Sequence, residues 1–403
     1  SDLDEARFAV DEASQLVQEG MERGKIAFLY RANAQSRVLE HELFTHGIPY
    51  RVYGGLRFFE RLEIKHALAY LRLIANPDDD TAFLRVVNFP ARGIGARTLE
   101  HLQAVAHQSN CSLYNAAASL TGKAGATVGH FVRLVEGLRR EVEGLPLAEM
   151  VAHTLVASGL QAHYRNEKEG QERLENLDEL VNAATLFASG VFASGEGGEE
   201  SDLAAFLSHA ALESGEHQAD ERESAVQLMT VHSAKGLEFD AVFITGLEEG
   251  LFPHDNALSS GDLEEERRLM YVAMTRARQR LYLTLAETRL LHGQTRYCLP
   301  SRFLDEIPAP LLKQLSVPWS GGERLPARSW SQGKPSGEKP YRAPPEALPG
   351  GFRIGMNVRH AKFGFGVIVD AEAGMGTDAR VHVNFGGAGM KWLSLAHAKL
   401  AAA

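Results

Sequence analysis

Between residues 225 and 285 the chain reads AVQLMTVHSAKGLEFDAVFITGLEEGLFPH, a short polar interval, then EEERRLMYVAMTRARQRLYLTL. The side chains able to do chemistry concentrate here. Glu238 can accept hydrogen bonds from a sugar hydroxyl, while Thr230 and His232, at the end of an apolar run, can meet a phosphodiester. Arg276 follows Thr275 at the end of a helical pattern. It is either an ion-pair partner of the acidic run Glu264, Glu265 and Glu266, or a guanidinium that reaches a γ-phosphate. Arg278 and Arg280 read as surface charges. In NFPARGIGARTLEHL, residues 88–102, the Gly93-Ile94-Gly95 turn ahead of a helix exposes amides at its positive end, and Arg92 and Arg97 add charge. That turn suits a DNA phosphate, or it is a plain connection between helices.

The elements that position these residues follow from patterning. VQLMTV, AVFITG and LYLTL are short, apolar and β-branched, as buried parallel strands are. IAFLY, residues 26–30, is a fourth such run and leads into Arg31, Asn33 and Gln35, and RVY near residue 52 is a fifth. Ligands of open α/β sheets sit at the carboxyl ends of the strands, so the charges after these runs are expected to form the site. Helical spacing covers residues 4–23, closing near Gly24, a further helix closes at Gly47, and an amphipathic one precedes Pro77. Helical patterns then dominate at 81–89, 97–108, 127–143, 146–158, 171–188 and 202–213. Phe83, Phe89, Phe131, Phe187 and Phe206 fall at core spacings there. His153, His163 and His209 stand alone in the sequence and receive no role.

The predicted architecture is an α/β parallel-sheet domain, residues 1–76 and 224–307, interrupted by an all-α insertion at 77–223. The acidic stretch within 188–201 reads as a flexible loop. Residues 308–350, rich in Pro, Gly, Ser and basic side chains, read as a disordered linker. Alternating segments at 351–403 predict a small antiparallel barrel.

Composition narrows the function classes. The 403 residues carry a net charge of −10, yet residues 311–403 hold 12 Lys and Arg against 6 Asp and Glu. DNA binding elsewhere therefore requires local basic patches. No apolar run is long enough for a membrane span. Cys111 and Cys298 fit no metal spacing, no metal site is expected, and two cysteines in such a chain suggest a reducing, cytoplasmic setting. A phosphate-binding loop is missing as well. Gly122-Lys123 is followed by Ala124, and Gly24-Lys25 and Gly333-Lys334 also lack the pattern. The chain alone is expected not to hydrolyse ATP.

VQLMTVHSAKGLEFD and EEERRLMYVAMTRA resemble motifs V and VI of the UvrD, PcrA and Rep group of superfamily 1A DNA helicases. LYRANAQSR is similar to that group's motif IVa, RGIG to its duplex-binding element, and HAKFGFGVIV with KWL to its C-terminal tail domain. The resemblance implies that 1–76 and 224–307 form most of the second RecA-like motor domain, 2A. It further implies that 77–223 form the 2B insertion and 351–403 an SH3- or Tudor-like interaction barrel. Glu238 would bind the nucleotide ribose and Arg276 the γ-phosphate. Arg31, Asn33, Arg57, Thr230, His232 and His254 would grip single-stranded DNA, and His292 stands where the family stacks an aromatic on a base. Arg92, Gly93, Ile94 and Gly95 would meet duplex phosphates. ATP and Mg²⁺ would be held mainly by a first motor domain that this stretch lacks. The implied activity is ATP-dependent 3′ to 5′ unwinding in DNA repair, nucleoid-associated, with RNA polymerase or repair proteins as partners of the tail. The alternative is a non-enzymatic module binding DNA and RNA polymerase.

Overall fold

The computed structural model describes residues 1–168, 170–190, 202–215, 224–291, 294–315, 352, 356–360, 362–372, 379–385, 390–395, 398 and 400–402. These form two compact units, one of residues 1–247 with 264–296, the other of 248–263 with 297–403.

The first unit is built on a parallel sheet of order β2-β3-β1-β4-β5, comprising β1 (Ile26–Tyr30), β2 (Tyr50–Val52), β3 (Val226–Thr230), β4 (Phe239–Ile244) and β5 (Ala277–Leu283). Every residue of the central β1 is buried. Its Phe28 ring stacks on Phe243 of β4, which stacks in turn on Tyr282 of β5, at 4.8 and 4.3 Å between centroids. A fully buried Phe contributes about 2–3 kcal/mol, so this row is a main tie across the sheet. The apolar runs locate four strands well, but β5 departs from expectation. Arg278 to Leu281 are exposed there, because among the described residues β5 is the sheet's edge, with no strand beyond it.

Helices α1 (Asp2–Gln18) and α2 (Ser36–Thr45) supply the sheet's packing partners. Helix α1 starts with a capping box between Ser1 and Asp4, and its Ala6, Ala9 and Ala13 are small enough to lie close against the strands. It stops at Gln18 rather than near Gly24, because Gly20 takes φ +101°, a conformation open to glycine.

A second core is wholly helical. It assembles from α3 (Leu62–Ala75), α4 (Asp80–Val86), α5 (Ala96–Ser109), α6 (Leu113–Ala116), α7 (Gly122–Glu141), α8 (Leu147–Ala157), α9 (Leu160–Arg165), α10 (Gly170–Ala188) and α11 (Asp202–Gly215). Phe83, Phe131 and Phe206 are fully buried in it, with Phe89 and Phe187 packed at its margin. Helix α3 gives Ile64, Tyr70 and Leu73 to this core and not to the sheet's. A buried polar network fastens the two cores. Arg61 donates to Asn176 Oδ1 at 2.8 Å, to Ser36 Oγ at 2.7 Å and to the Asn33 carbonyl at 3.1 Å. No helix among the described residues is long and apolar enough to cross a membrane.

The second unit contains α12 (Asp255–Ser260) and α14 (Arg302–Asp305), while α13 (Leu263–Met274) lies almost wholly in the first. Between them in the sequence, β6 (Thr288–Leu291) and β7 (Gln294–Tyr297) form a hairpin that the patterning did not predict. The second unit ends in a curled antiparallel sheet of order β11-β10-β9-β8-β12. Its strands are β8 (Asn357–His360), β9 (Gly364–Glu372), β10 (Arg380–Asn384), β11 (Met390–Ser394) and β12 (Leu400–Ala402). Val358, Ile368, Val381 and Val383 form its core. Among the described residues β11 and β12 do not pair, so the sheet is an open half-barrel rather than a closed one. The segment predicted as an acidic loop, from residue 191 on, and most of the predicted linker lie outside the described residues.

Candidate functional site

In a parallel sheet every strand leaves at the same edge. Arg31 follows β1 and Thr230 ends β3, so both stand at the carboxyl edge. Glu238 precedes β4 and Arg276 precedes β5, which puts them at the amino edge, where Phe239 is aligned with Ala277. The expectation of one cluster at the carboxyl ends is therefore corrected to two clusters at opposite edges. Strand β1 lies between β3 and β4, so the chain must travel back along the strand direction before β4 can begin, and residues 231–238 make that return.

At the amino edge, the exposed Glu238 carboxylate accepts from Arg278 Nε at 3.0 Å. Arg276 is half-buried. Its Nε donates to the Val272 carbonyl at 2.9 Å, Nη1 to the Leu237 carbonyl at 2.8 Å and Nη2 to Thr275 Oγ at 3.0 Å. Its own carbonyl accepts from Phe239 N–H at 2.9 Å, so the arginine and the loop carrying Glu238 are fastened together. The acidic run is engaged elsewhere. Glu264 pairs with Arg267, Glu265 with Arg268 and Glu266 with Arg31, so the ion-pair reading of Arg276 does not hold. Among the described residues the Arg276 guanidinium is held by neutral oxygens, so it keeps its charge for an anion. Turning toward one gives up the Thr275 hydrogen bond and disturbs the one to the Leu237 carbonyl, each about 1 kcal/mol.

At the carboxyl edge, Arg31 forms a two-pronged pair with Glu266, Nη2 to Oε1 at 2.7 Å and Nε to the carboxylate at 3.0 and 3.1 Å. Glu266 is buried. Thr230 Oγ lies 3.0 Å from Ser233 Oγ and accepts from Ser233 N–H. The chain at Gly54 comes so close that a Cβ there would sit 2.9 Å from Ser233 Oγ, and φ is +77°, so glycine is required twice over. His232 is exposed and titrates below the ordinary imidazole value, through partial desolvation and then the positive charge of Arg31. It is neutral at pH 7, suited to a hydrogen bond more than to charge neutralisation. Asn33 donates to Glu172. Arg57, expected to face DNA, is turned inward. It is 7% exposed, pairs with Glu60 at 3.2 Å and donates to the last carbonyls of α11, at Glu213 and Ser214.

Helix α13 joins the two edges. Glu266 in its first turns holds Arg31, and ten residues later, about 15 Å along an α-helix, Arg276 holds the Leu237 carbonyl.

In the helical layer, Arg92 is also directed inward. It donates to the carbonyls of Val86, Pro90 and Ser158 at 3.0–3.1 Å and to Tyr70 Oη at 2.6 Å, and lies over the Phe131 ring at 5.3 Å. Ile94 is 2% exposed, and Asn88 Oδ1 already accepts from the amides of Arg92 and Ile94. What reaches solvent is Gly93, Gly95 at the N-cap of α5, and Arg97. Arg92, expected to add charge to this turn, instead points into the helical core. His254 caps α12, its Nδ1 accepting from Asn256 N–H at 3.3 Å, and it belongs to the second unit. His292 lies outside the described residues.

Sequence reasoning also missed Glu5, buried in α1, which accepts from Gly246 N–H and Thr284 Oγ at 2.7 Å and from Arg289. It missed that His209 is not isolated, since His209 Nε2 lies 3.0 Å from Glu213 and His41 Nδ1 lies 2.6 Å from the same carboxylate. The spacing of His209 and Glu213, one helical turn, was a readable signal, whereas nothing in the sequence pointed to His41.

The family model for the UvrD-like helicase C-terminal domain matches residues 1–288. The chain is 46% identical to DNA helicase II of Escherichia coli strain K12, with 99% of the chain and 55% of that protein covered. It is 41% identical to DNA helicase II of Haemophilus influenzae, over 99% of the chain and 54% of the relative. With the ATP-dependent DNA helicase PcrA of Bacillus subtilis it shares 37% identity over 94% of the chain and 52% of the relative. The chain spans about half the length of these curated relatives.

Proposed function

The chain belongs to the UvrD-like helicase C-terminal domain family, and on that premise we propose that it is the part of an ATP-dependent 3′ to 5′ DNA helicase that couples nucleotide state to strand grip. In this reading residues 1–76 and 224–307 are motor domain 2A, 77–223 are the duplex-facing insertion 2B, and 351–403 are an interaction module for RNA polymerase or repair proteins. The observation that carries it is helix α13, with the Arg31–Glu266 pair near one end and Arg276 beyond the other.

Single-stranded DNA is assigned to the carboxyl edge, where Thr230, Ser233 and neutral His232 offer hydrogen bonds to phosphate and base. Arg31 contributes there through Glu266 more than as a free charge. Duplex DNA is assigned to the exposed Gly93, Gly95 and Arg97.

The nucleotide is assigned to the amino edge. The residues present fit one face of it: Glu238 is exposed and can accept from a ribose hydroxyl, and Arg276 has no carboxylate partner among the described residues. ATP supplies the free energy, and Mg²⁺ accompanies it without any residue of this chain being assigned to the ion. When Arg276 turns toward a γ-phosphate, its hold on Thr275 and the Leu237 carbonyl changes, and with it the purchase of α13 on the loop that begins at Thr230. That shift is a local charge event biasing a stiff element, which is how such switches move distant contacts.

The test is DNA-stimulated ATP hydrolysis after joining the chain to the half of a DNA helicase II relative that it does not span. The reading predicts recovery of hydrolysis in the joined protein. No recovery in a folded fusion that binds both ATP and single-stranded DNA would remove it.

A further inference from the structure

His41, His209 and Glu213 converge at a point where two segments distant in sequence meet. His41 projects from α2 beside the sheet, while His209 and Glu213 occupy successive turns of α11, the last helix of the helical layer before the chain returns to β3. His41 Nδ1 lies 2.6 Å and His209 Nε2 lies 3.0 Å from Glu213 Oε1, and the three ligand atoms are all within 4.8 Å of one another. The two imidazoles meet edge to face at 5.8 Å, so their nitrogens aim at a common point instead of stacking away from it. His41 and Glu213 are each 8% exposed. The His209 side chain retains 20% exposure, which leaves a path in from solvent.

We propose that these three residues form a binding site for a zinc-type divalent transition metal, which clasps α11 to α2. Two imidazoles and one carboxylate are the borderline donors that zinc takes, and three protein ligands leave the fourth tetrahedral position to water. Magnesium and calcium require mostly oxygen donors and are not suited to the set. The surroundings are those of a supported site. The other nitrogen of His41 lies 3.4 Å from Thr45 Oγ, the Phe187 ring packs 5.5 Å from His209, and Arg57 fixes the end of α11 by donating to the Glu213 carbonyl. Coordination requires the 2.6 and 3.0 Å contacts to open to the roughly 3.3–3.5 Å between ligand atoms that tetrahedral zinc bonds of about 2.0–2.2 Å impose. The ion would hold the helical layer to the sheet through α11 and α2.

The test is uptake of Zn²⁺ and Co²⁺ by the whole chain after chelator treatment, with His41→Gln, His209→Ala and Glu213→Gln measured alongside. The expected result is one equivalent bound, a Co²⁺ visible spectrum of four-coordinate intensity, and a rise in thermal unfolding temperature with Zn²⁺ but not Mg²⁺. Each substitution should weaken Zn²⁺ by more than the roughly 10- to 100-fold that losing an outer partner costs. Because Glu213→Gln could loosen the fold, His41→Gln, which keeps a polar group against Thr45, is the deciding variant. Absence of stoichiometric uptake, or uptake unchanged in all three variants, would overturn the site and leave a hydrogen-bonded cluster.

Discussion

Arg31 and Glu266, 235 positions apart in sequence, form a two-pronged ion pair at the carboxyl edge of the sheet, with Nη2 to Oε1 at 2.7 Å and the Glu266 carboxylate buried. The pair docks the start of α13 on the loop after β1. An arginine in that loop could have been a free phosphate contact, but here its charge is spent on holding a helix. This edge presents the hydroxyls of Thr230 and Ser233, the His232 imidazole and a neutralised ion pair.

Glu266→Gln should therefore act on coupling more than on affinity. It leaves Arg31 without its counter-charge and should cost roughly 2 kcal/mol in stability, below the full penalty for a buried pair because Arg31 is partly solvated. In a fusion that hydrolyses ATP, stimulation by single-stranded DNA should fall several-fold while basal hydrolysis holds. Equal stimulation in the variant and the parent would show that the pair carries no signal.

Arg92 and Arg97 should separate cleanly. Arg92→Ala removes four hydrogen bonds and a contact with the Phe131 ring, so urea denaturation should show a loss of about 2–4 kcal/mol. Arg97→Ala should leave stability alone and reduce the slope of duplex affinity against salt by about 1. If Arg92→Ala lowered the salt slope with stability intact, the inward orientation would be wrong.

His66 supplies a pH prediction. Burial, and then the nearby positive charge of Arg85, hold its imidazole down to about 4 from an ordinary 6.5, while its Nδ1 lies 2.9 Å from Tyr164 Oη. As pH falls from 6.5 through about 4, the unfolded chain takes the proton before the folded one does, so stability declines across that window. The loss is on the order of 3 kcal/mol once both forms are protonated. Denaturant unfolding at pH 7 and pH 4.5 should show a smaller decline in His66→Gln than in the parent. Parallel declines would place the acid sensitivity elsewhere.

The sequence disclosed most of what depends on local pattern. Residues 26–30 were read as a strand to the residue, because an uninterrupted apolar run has few other uses. The helical layer was visible in its periodicity, and its buried phenylalanines followed. What stayed hidden depends on direction or on distance along the chain. Arg92 and Arg57 look like any exposed basic residue in a polar segment, and only the fold turns them toward carbonyls. The edge position of β5 follows from strand order, which hydrophobicity does not encode. His41 meets Glu213 from 172 positions away, so only the helical half of that cluster had a signature. The division of Glu238 and Arg276 from Thr230 and Arg31 onto opposite edges required knowing that residues 231–238 turn back along the sheet.

The claim that this chain answers to a nucleotide held by other residues rests most heavily on Arg276, and ATP hydrolysis by the joined protein with and without Arg276→Ala tests it most directly. The account predicts no hydrolysis by residues 1–403 alone and DNA-stimulated hydrolysis when they are joined to the complementary half of a relative. It predicts a fall in kcat of about 10³-fold or more in Arg276→Ala, with single-stranded DNA affinity retained. Hydrolysis by the chain alone, or a restored rate indifferent to Arg276→Ala, would contradict it.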